Sequence, residues 1–222
     1  MAEAPVTEAE FLSRYRGLFK DTWSDQASID EVRFVALDCE TTGLNPGTDR
    51  IVTIGTVSVV ENEIVLGDSF EALLKVSVNT GAVTIHGVTR DESRSGIEEH
   101  EALEGLLDHL KDGIIVGHHI THDIASLNAA YERHWGLTLL NRCVDTMALT
   151  LHLEHAGAFP GRPPIQNFTL DALCDMFSIP PHGRHTASGD AFLTAQIFLR
   201  LLPLARRFGR ERLGALCEPS RH

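Results

Sequence analysis

Apolar and polar positions along this chain change their period several times. Residues 33–38, Arg-Phe-Val-Ala-Leu-Asp, form a short apolar run that reads as a buried strand, closed by a turn-rich stretch over 41–47. Residues 51–60 are β-branched enough for a second strand, and 63–78 hold a third with room for a fourth. The period then lengthens. Ala102, Leu103, Leu106, Leu107 and Leu110 share one helical face, opened by Ser95 and Glu98 at capping-box spacing. Residues 114–117 read as a short buried strand, 123–135 as a helix, and 143–146 as a strand end running into a helix. Two more helices are predicted over 169–177 and 191–202, and a further one over 204–216. Pro160 to Pro164, with Gly161 and Arg162, mark a mobile loop before them.

The N-terminal stretch 7–23 reads as an amphipathic helix. Thr7 and Glu10 have capping-box spacing, and Phe11, Tyr15, Leu18 and Phe19 follow at helical intervals. A polar linker follows over 21–30, so this leader either packs on the domain or engages a partner. Strands early and helices interleaved later predict an α/β domain, a mixed sheet flanked by helices. The expected organisation is a helical extension and linker over 1–31, one main domain over 32–203, and a helical tail over 204–222.

Composition narrows the class. The 222 residues can bury a substantial core, and 43% hydrophobic with 23% charged residues is ordinary for a soluble globular protein. No apolar run approaches the roughly 20 residues of a membrane span. Cys39, Cys143, Cys174 and Cys217 lack C-x-x-C spacing, which suggests neither a zinc ribbon nor a disulfide framework, and a reducing cytoplasm is the simplest location. The formal net charge of −12 argues against a protein that coats nucleic acid with a basic face. It leaves room for an enzyme acting on a strand end, because bound cations reverse the field around acidic ligands.

Three stretches carry candidate chemistry: Asp38-Cys39-Glu40, Asp123 within Gly117-His118-His119-Ile120-Thr121-His122-Asp123, and His185-Thr186-Ala187-Ser188-Gly189-Asp190. Asp38 and Glu40 stand two apart at a strand end, so both leave on one face while Cys39 points the other way. Such a pair can chelate a hard cation, or be a plain acidic surface pair. Asp123 near a helix start can serve a metal or simply satisfy backbone N–H groups. On one continuous helix His185 and Asp190 would diverge by about 140°. Both reach one cleft if His185 lies in the preceding loop and Asp190 in the first turns. Distant acids that a fold can gather are what a two-metal phosphodiester-cleaving site requires, and histidine can take a proton from the attacking water.

Jointly these motifs resemble the DEDD superfamily of 3′→5′ exonucleases, in its histidine branch, over residues 33–202. Asp38 to Leu44 is similar to the family's D-x-E-T-T-G-h motif, Ile85-His86-Gly87-Val88-Thr89 to I-H-G-I-T, Val144-Asp145-Thr146 to the inner D-T strand end, and His185 to Asp190 to H-x-A-x-x-D. The tyrosine branch would place Tyr where this chain has Thr186. The resemblance implies a ribonuclease H-like fold with a central mixed sheet of about five strands. It implies two Mg²⁺ or Mn²⁺ ions held by Asp38, Glu40, Asp123 and Asp190, with His185 as general base. Thr41, Thr42, Gly43, Leu44, Ile85, His86 and His122 would receive the terminal nucleotide. For Leu44 and Ile85 a core role is the alternative, and for Asp145 structural support is expected. The second motif usually reads G-H-N-x-x-F-D, whereas here His119 stands for Asn and His122 for Phe. His118, His119 and His122 could instead form a transition-metal cluster.

The activity implied is hydrolysis of single-stranded or frayed 3′ ends of DNA to nucleoside 5′-monophosphates, a proofreading-like chemistry compatible with a DNA polymerase partner. Trimming of RNA 3′ ends uses the same residues. A non-catalytic nucleic-acid-binding or polymerase-associated subunit is the different-class alternative, and it would be favoured by a missing carboxylate or histidine.

Overall fold

Strand β1 (Phe34–Thr41) is the third strand of a five-stranded sheet ordered β3-β2-β1-β4-β5. The sheet belongs to a computed structural model of the chain that describes residues 8–76, 95–161 and 164–217. β2 (Ile51–Val60) and β3 (Glu63–Leu73) run antiparallel, while β4 (Ile114–Gly117) and β5 (Cys143–Asp145) run parallel to β1. A mixed sheet with helices on both faces is the architecture the sequence predicts.

The two-residue period of β1 decides which layer each side chain joins. Phe34 and Ala36 enter one core with Ile114, Val116 and Val144, covered by α4 (Thr146–His155), α5 (Leu170–Phe177), α6 (Ala187–Arg207) and α7 (Leu213–Cys217). There Phe34 meets Phe198 edge-on with ring centroids 4.8 Å apart. Val35, Leu37 and Cys39 enter the opposite core, under α1 (Glu8–Leu18), α2 (Glu99–Leu110) and α3 (Thr121–Trp135). Asp38 and Glu40 continue the Phe34–Ala36 phase, and so emerge on the face covered by α6.

Gly55 lets α6 lie directly on the sheet. It pairs with Asp38 across β1 and β2, and a Cβ there would stand 2.2 Å from the Ser188 nitrogen. Any side chain at Gly55 would lift the start of α6 away from Asp38.

Several boundaries differ from the sequence reading. β1 continues to Thr41, because Glu40 and Thr41 still pair with Thr53 and Ile51. Among the described residues, 63–76 of the 63–78 stretch give one strand to Leu73, with its register shifted against β2 between Val57 and Ser58. In α2 the cap is Glu98, boxed with Glu101 rather than Ser95, while all five predicted apolar positions are buried. α6 starts at Ala187 and runs through Pro203 to Arg207, so 204–216 is not one helix. Gly209, at φ +80°, ends it, with Arg210 N–H donating back to Ala205 O at 2.8 Å.

α1 ends at Leu18 and packs on the domain through Phe11, Leu12 and Tyr15; its Tyr15 hydroxyl donates to Asn141 Oδ1 at 2.7 Å. The 21–30 linker meets the chain's other end, where Leu213 N–H donates to Ala27 O and Ile29 N–H to Glu211 O. Thr7, the 77–94 stretch with Ile85 and His86, and Arg162 and Pro163 of the proline-bounded loop lie outside the described residues. Among the described residues no helix is long and apolar enough to cross a membrane.

Candidate active site

The site forms where the parallel strands end. β4 stops at Gly117, and its pairing with β1 ends at Ala36 and Val116. The Cys39 N–H is thus left beyond the ladder, and Asp123 Oδ1 accepts from it at 2.9 Å. Buried backbone donors need partners, and this one ties the Asp123 carboxylate to β1 at the residue that separates Asp38 from Glu40, outside the closest group of acids. Asp123 is the third residue of α3, and the N-cap position, Ile120, makes no side-chain cap bond. Asp123 is held by the Cys39 N–H of β1 and, within the first turn of α3, by its own backbone N–H.

Asp38, Glu40 and Asp190 each offer an oxygen within 4.8 Å of the others. Glu40, Asp123 and Asp190 are buried, and Asp190 Oδ1 is a buried acceptor with no hydrogen-bond partner. Burial and mutual repulsion oppose ionisation of Asp38, Glu40 and Asp123. Asp38 is raised well above the ordinary carboxylate range by burial, then by Asp123, Asp190 and Glu40. Glu40 is pushed up to about 7 by burial and by Asp190 and Asp123. Asp123 is raised to about 7 by burial, against the lowering effect of its backbone N–H partners. A hard-oxygen donor set, one orphaned buried acceptor and shared repulsion fit divalent cations such as Mg²⁺ or Mn²⁺.

His185 lies exposed in the turn before α6, and Asp190 is the fourth residue of that helix. This is the loop-then-helix arrangement under which both residues can reach one cleft. His185 has φ +64°, in the left-handed region that side chains disfavour, and the turn is pinned around it. Thr186 caps α6 by accepting from Gly189 N–H at 3.2 Å, and its hydroxyl donates to Gly183 O at 2.7 Å.

The other expected residues sort by position. Thr41 Oγ1 donates to Gly43 O at 2.7 Å and lies 3.4 Å from His122 Nε2, so these two candidate nucleotide contacts adjoin. Leu44 is 86% exposed, which removes a core role. Asp145 accepts from Met147 and His119 N–H groups at 2.9 and 3.2 Å, anchoring α4 and the second motif. His119 sits at φ +57°. Asn and His both enter this region more readily than most residues, which accounts physically for His in the Asn position.

The histidine-cluster alternative is not what the structure forms. His118 Nδ1 pairs with Thr146 Oγ1 at 2.9 Å, and burial pushes the ring down to about 4. His122 turns instead to Thr41. Among the described residues, Asp38, Glu40 and Asp190 form the one group of three or more potential ligands.

Two residues escaped the sequence reading. Asp49 accepts from Thr42 Oγ1 at 3.2 Å and Asn45 N–H at 2.7 Å, and its carboxylate packs against Gly43. It thereby braces the loop that presents Leu44. Arg184 donates Nη1 to Asp190 Oδ2 and Nε to Asp171 Oδ1, the latter at 2.5 Å. Its position beside His185 was a weak signal, but its partner thirteen residues upstream gave none.

Comparison with known proteins agrees with this geometry. A family model described as "Exonuclease" matches residues 35–198. The chain is 32% identical over 197 residues to a DNA polymerase III PolC-type protein of Thermotoga maritima, covering 87% of this chain but 14% of that one. It is also 32% identical over 203 residues to a DNA polymerase III subunit epsilon-like protein of Rhodobacter capsulatus, covering 89% of this chain and 28% of that protein. The chain thus spans less than a third of either relative. Among solved structures, E. coli exonuclease I in complex with a dT13 oligonucleotide aligns with a TM-score of 0.66 at 18% identity, covering 80% of this chain and 42% of that one. Cell-death related nuclease 4 aligns at 0.65 and 15% identity, covering 79% and 65%. The shared fold is ribonuclease H-like.

Proposed function

The chain belongs to the RNase T family of exonucleases, and from that premise we propose that it removes nucleotides from the 3′ end of single-stranded DNA as nucleoside 5′-monophosphates. The observation that carries this reading is the convergence of Asp38, Glu40 and Asp190 oxygens within 4.8 Å, from a strand and a helix some 150 residues apart in sequence.

Asp38, Glu40, Asp123 and Asp190 would hold two Mg²⁺ or Mn²⁺ ions. When bound, the ions supply charge stabilisation for the phosphate and lower the cost of deprotonating water. An unprotonated ring nitrogen of His185 takes the proton from the attacking water. The new P–O bond forms as the P–O3′ bond breaks, and the departing O3′ takes a proton from solvent, leaving a shortened strand with a free 3′ hydroxyl. Leu44, standing out from its braced loop, meets the terminal base. Thr41, Thr42 and Gly43 receive the sugar end, and His122, with Ile85 and His86, lines the same nucleotide. Contacts to the base face tolerate sequence, as trimming any strand requires.

Residues 32–203 serve as the catalytic unit in this reading, with 1–31 and 204–222 as extensions. The choice of DNA rests on the names of the similar proteins, and so does an association with a DNA polymerase, whereas a cytoplasmic location rests on the unpaired cysteines. The test compares matched DNA and RNA oligomers, single-stranded and as 3′-mismatched duplexes, under one ionic condition. DNA shortened in Mg²⁺ or Mn²⁺ and untouched in chelator is the expected result. Faster RNA trimming would replace the substrate, and full activity in chelator would overturn the metal assignment.

A further inference from the structure

We propose that Asp171 and Arg184 form a positioning clamp that orients the Asp190 carboxylate and the His185 turn together. The inference deepens the exonuclease reading and rests on it for the identity of the site. Arg184 presents three donors from one rigid plane. Nε and Nη2 grip both oxygens of Asp171 at 2.5 and 3.2 Å, and Nη1 reaches Asp190 Oδ2. Asp171 stands in the first turn of α5 and Asp190 in the first turn of α6. The guanidinium therefore bridges two helix starts.

The consequence for Asp190 is an asymmetry between its two oxygens. Oδ2 is occupied by Arg184, whereas Oδ1 is buried without a hydrogen-bond partner. A carboxylate held by one oxygen and free at the other is what an outer partner does for a metal ligand. Arg184 also immediately precedes His185, whose backbone lies at φ +64°. The same turn has little slack, since a Cβ at Gly189 would fall 1.9 Å from Gly183 O. Moving the Arg184 side chain off Asp171 would release the residue meant to accept the proton and the residue meant to hold the ion.

A simple counter-charge predicts the opposite. Removing a positive charge next to Asp190 would then tighten cation binding, and lysine would replace arginine without loss. A clamp needs the planar fork, which lysine lacks. Asp171 is the cleaner probe, because its exposed side chain is outside the three-residue acid group.

The experiment uses the full chain and the variants Asp171→Ala, Arg184→Lys and Arg184→Met. It reads Mn²⁺ affinity by calorimetry, kcat and KM on a single-stranded DNA oligomer, and Tm. The clamp predicts Mn²⁺ binding and kcat each weakened by roughly 10- to 100-fold in all three variants, with KM unchanged. Unchanged or tighter Mn²⁺ binding in Arg184→Met, or full function in Arg184→Lys, would overturn it. So would a lowered Tm with wild-type kcat well below that temperature, the mark of a merely structural pair. Calorimetry also separates the two claims. An inert wild type whose Mn²⁺ binding weakens in the variants contradicts the exonuclease reading and supports the clamp. An active wild type with unaltered variants does the reverse.

Discussion

The Cys39 N–H of β1 donates to Asp123 Oδ1 at 2.9 Å, joining the strand that carries Asp38 and Glu40 to the helix that follows β4. The bond separates a structural from an electrostatic role for one carboxylate. Asp123→Asn can keep an acceptor for Cys39 while removing a buried charge, whereas Asp123→Leu leaves the N–H unsatisfied. In chelator, thermal unfolding should find Asn at least as stable as wild type and Leu less stable by about 1–3 kcal/mol. Equal stability of the two variants would contradict the anchoring role.

The crowded acids make metal-free stability depend on pH in a defined direction. Glu40 and Asp123 are both raised to about 7 in the folded protein and return to the ordinary carboxylate range on unfolding. Between about pH 4.5 and 7 the folded state therefore binds more protons, so this contribution is full at low pH and lost as pH rises through about 7. In chelator the Tm should be several degrees lower near pH 8 than near pH 5.5. Mg²⁺ or Mn²⁺ should restore it at the higher pH, and Asp190→Asn should flatten the dependence. A metal-free Tm that rises across this interval would oppose the cluster's electrostatics.

Gly55 supplies a packing test that changes no charge. A methyl group there meets the α6 backbone at Ser188 and Ala187, at 2.2 and 2.3 Å, so helix and strand must separate. Gly55→Ala should lower stability by about 1–3 kcal/mol or more and reduce turnover as Asp190 moves from Asp38. Denaturant unfolding together with initial rates reads both, and a wild-type result in each would show that α6 can shift freely.

Leu44 makes the converse prediction, function without stability. At 86% exposure it contributes little to the fold. Leu44→Ala should leave Tm unchanged and lower kcat/KM on single-stranded DNA by roughly 5-fold or more, the value of about 1 kcal/mol of base contact. Unaltered kcat/KM would remove Leu44 from the nucleotide pocket.

The parts legible in the sequence were those set by short-range periodicity. The alternation from Phe34 to Glu40 placed both acids on one face, and a shared cleft for His185 and Asp190 called for a loop before a helix. Both are visible in the structure. Illegible were contacts whose partners are distant: Asp171 for Arg184, Gly55 for Ser188, and the Cys39 N–H for Asp123. Helix ends also eluded periodicity. Glu98 displaced Ser95 as cap because Glu101 could answer it, and Pro203 did not stop α6 because Leu201, Leu202 and Ala205 remain buried around it.

The account is tested most directly by following a 5′-labelled single-stranded DNA oligomer over time in Mn²⁺, with wild-type protein and with Asp38→Asn. Wild type should produce a ladder that shortens one nucleotide at a time from the 3′ end, and Asp38→Asn should leave the oligomer intact over the same interval. Internal cuts, label released first as a mononucleotide, or an equal ladder from Asp38→Asn would contradict it.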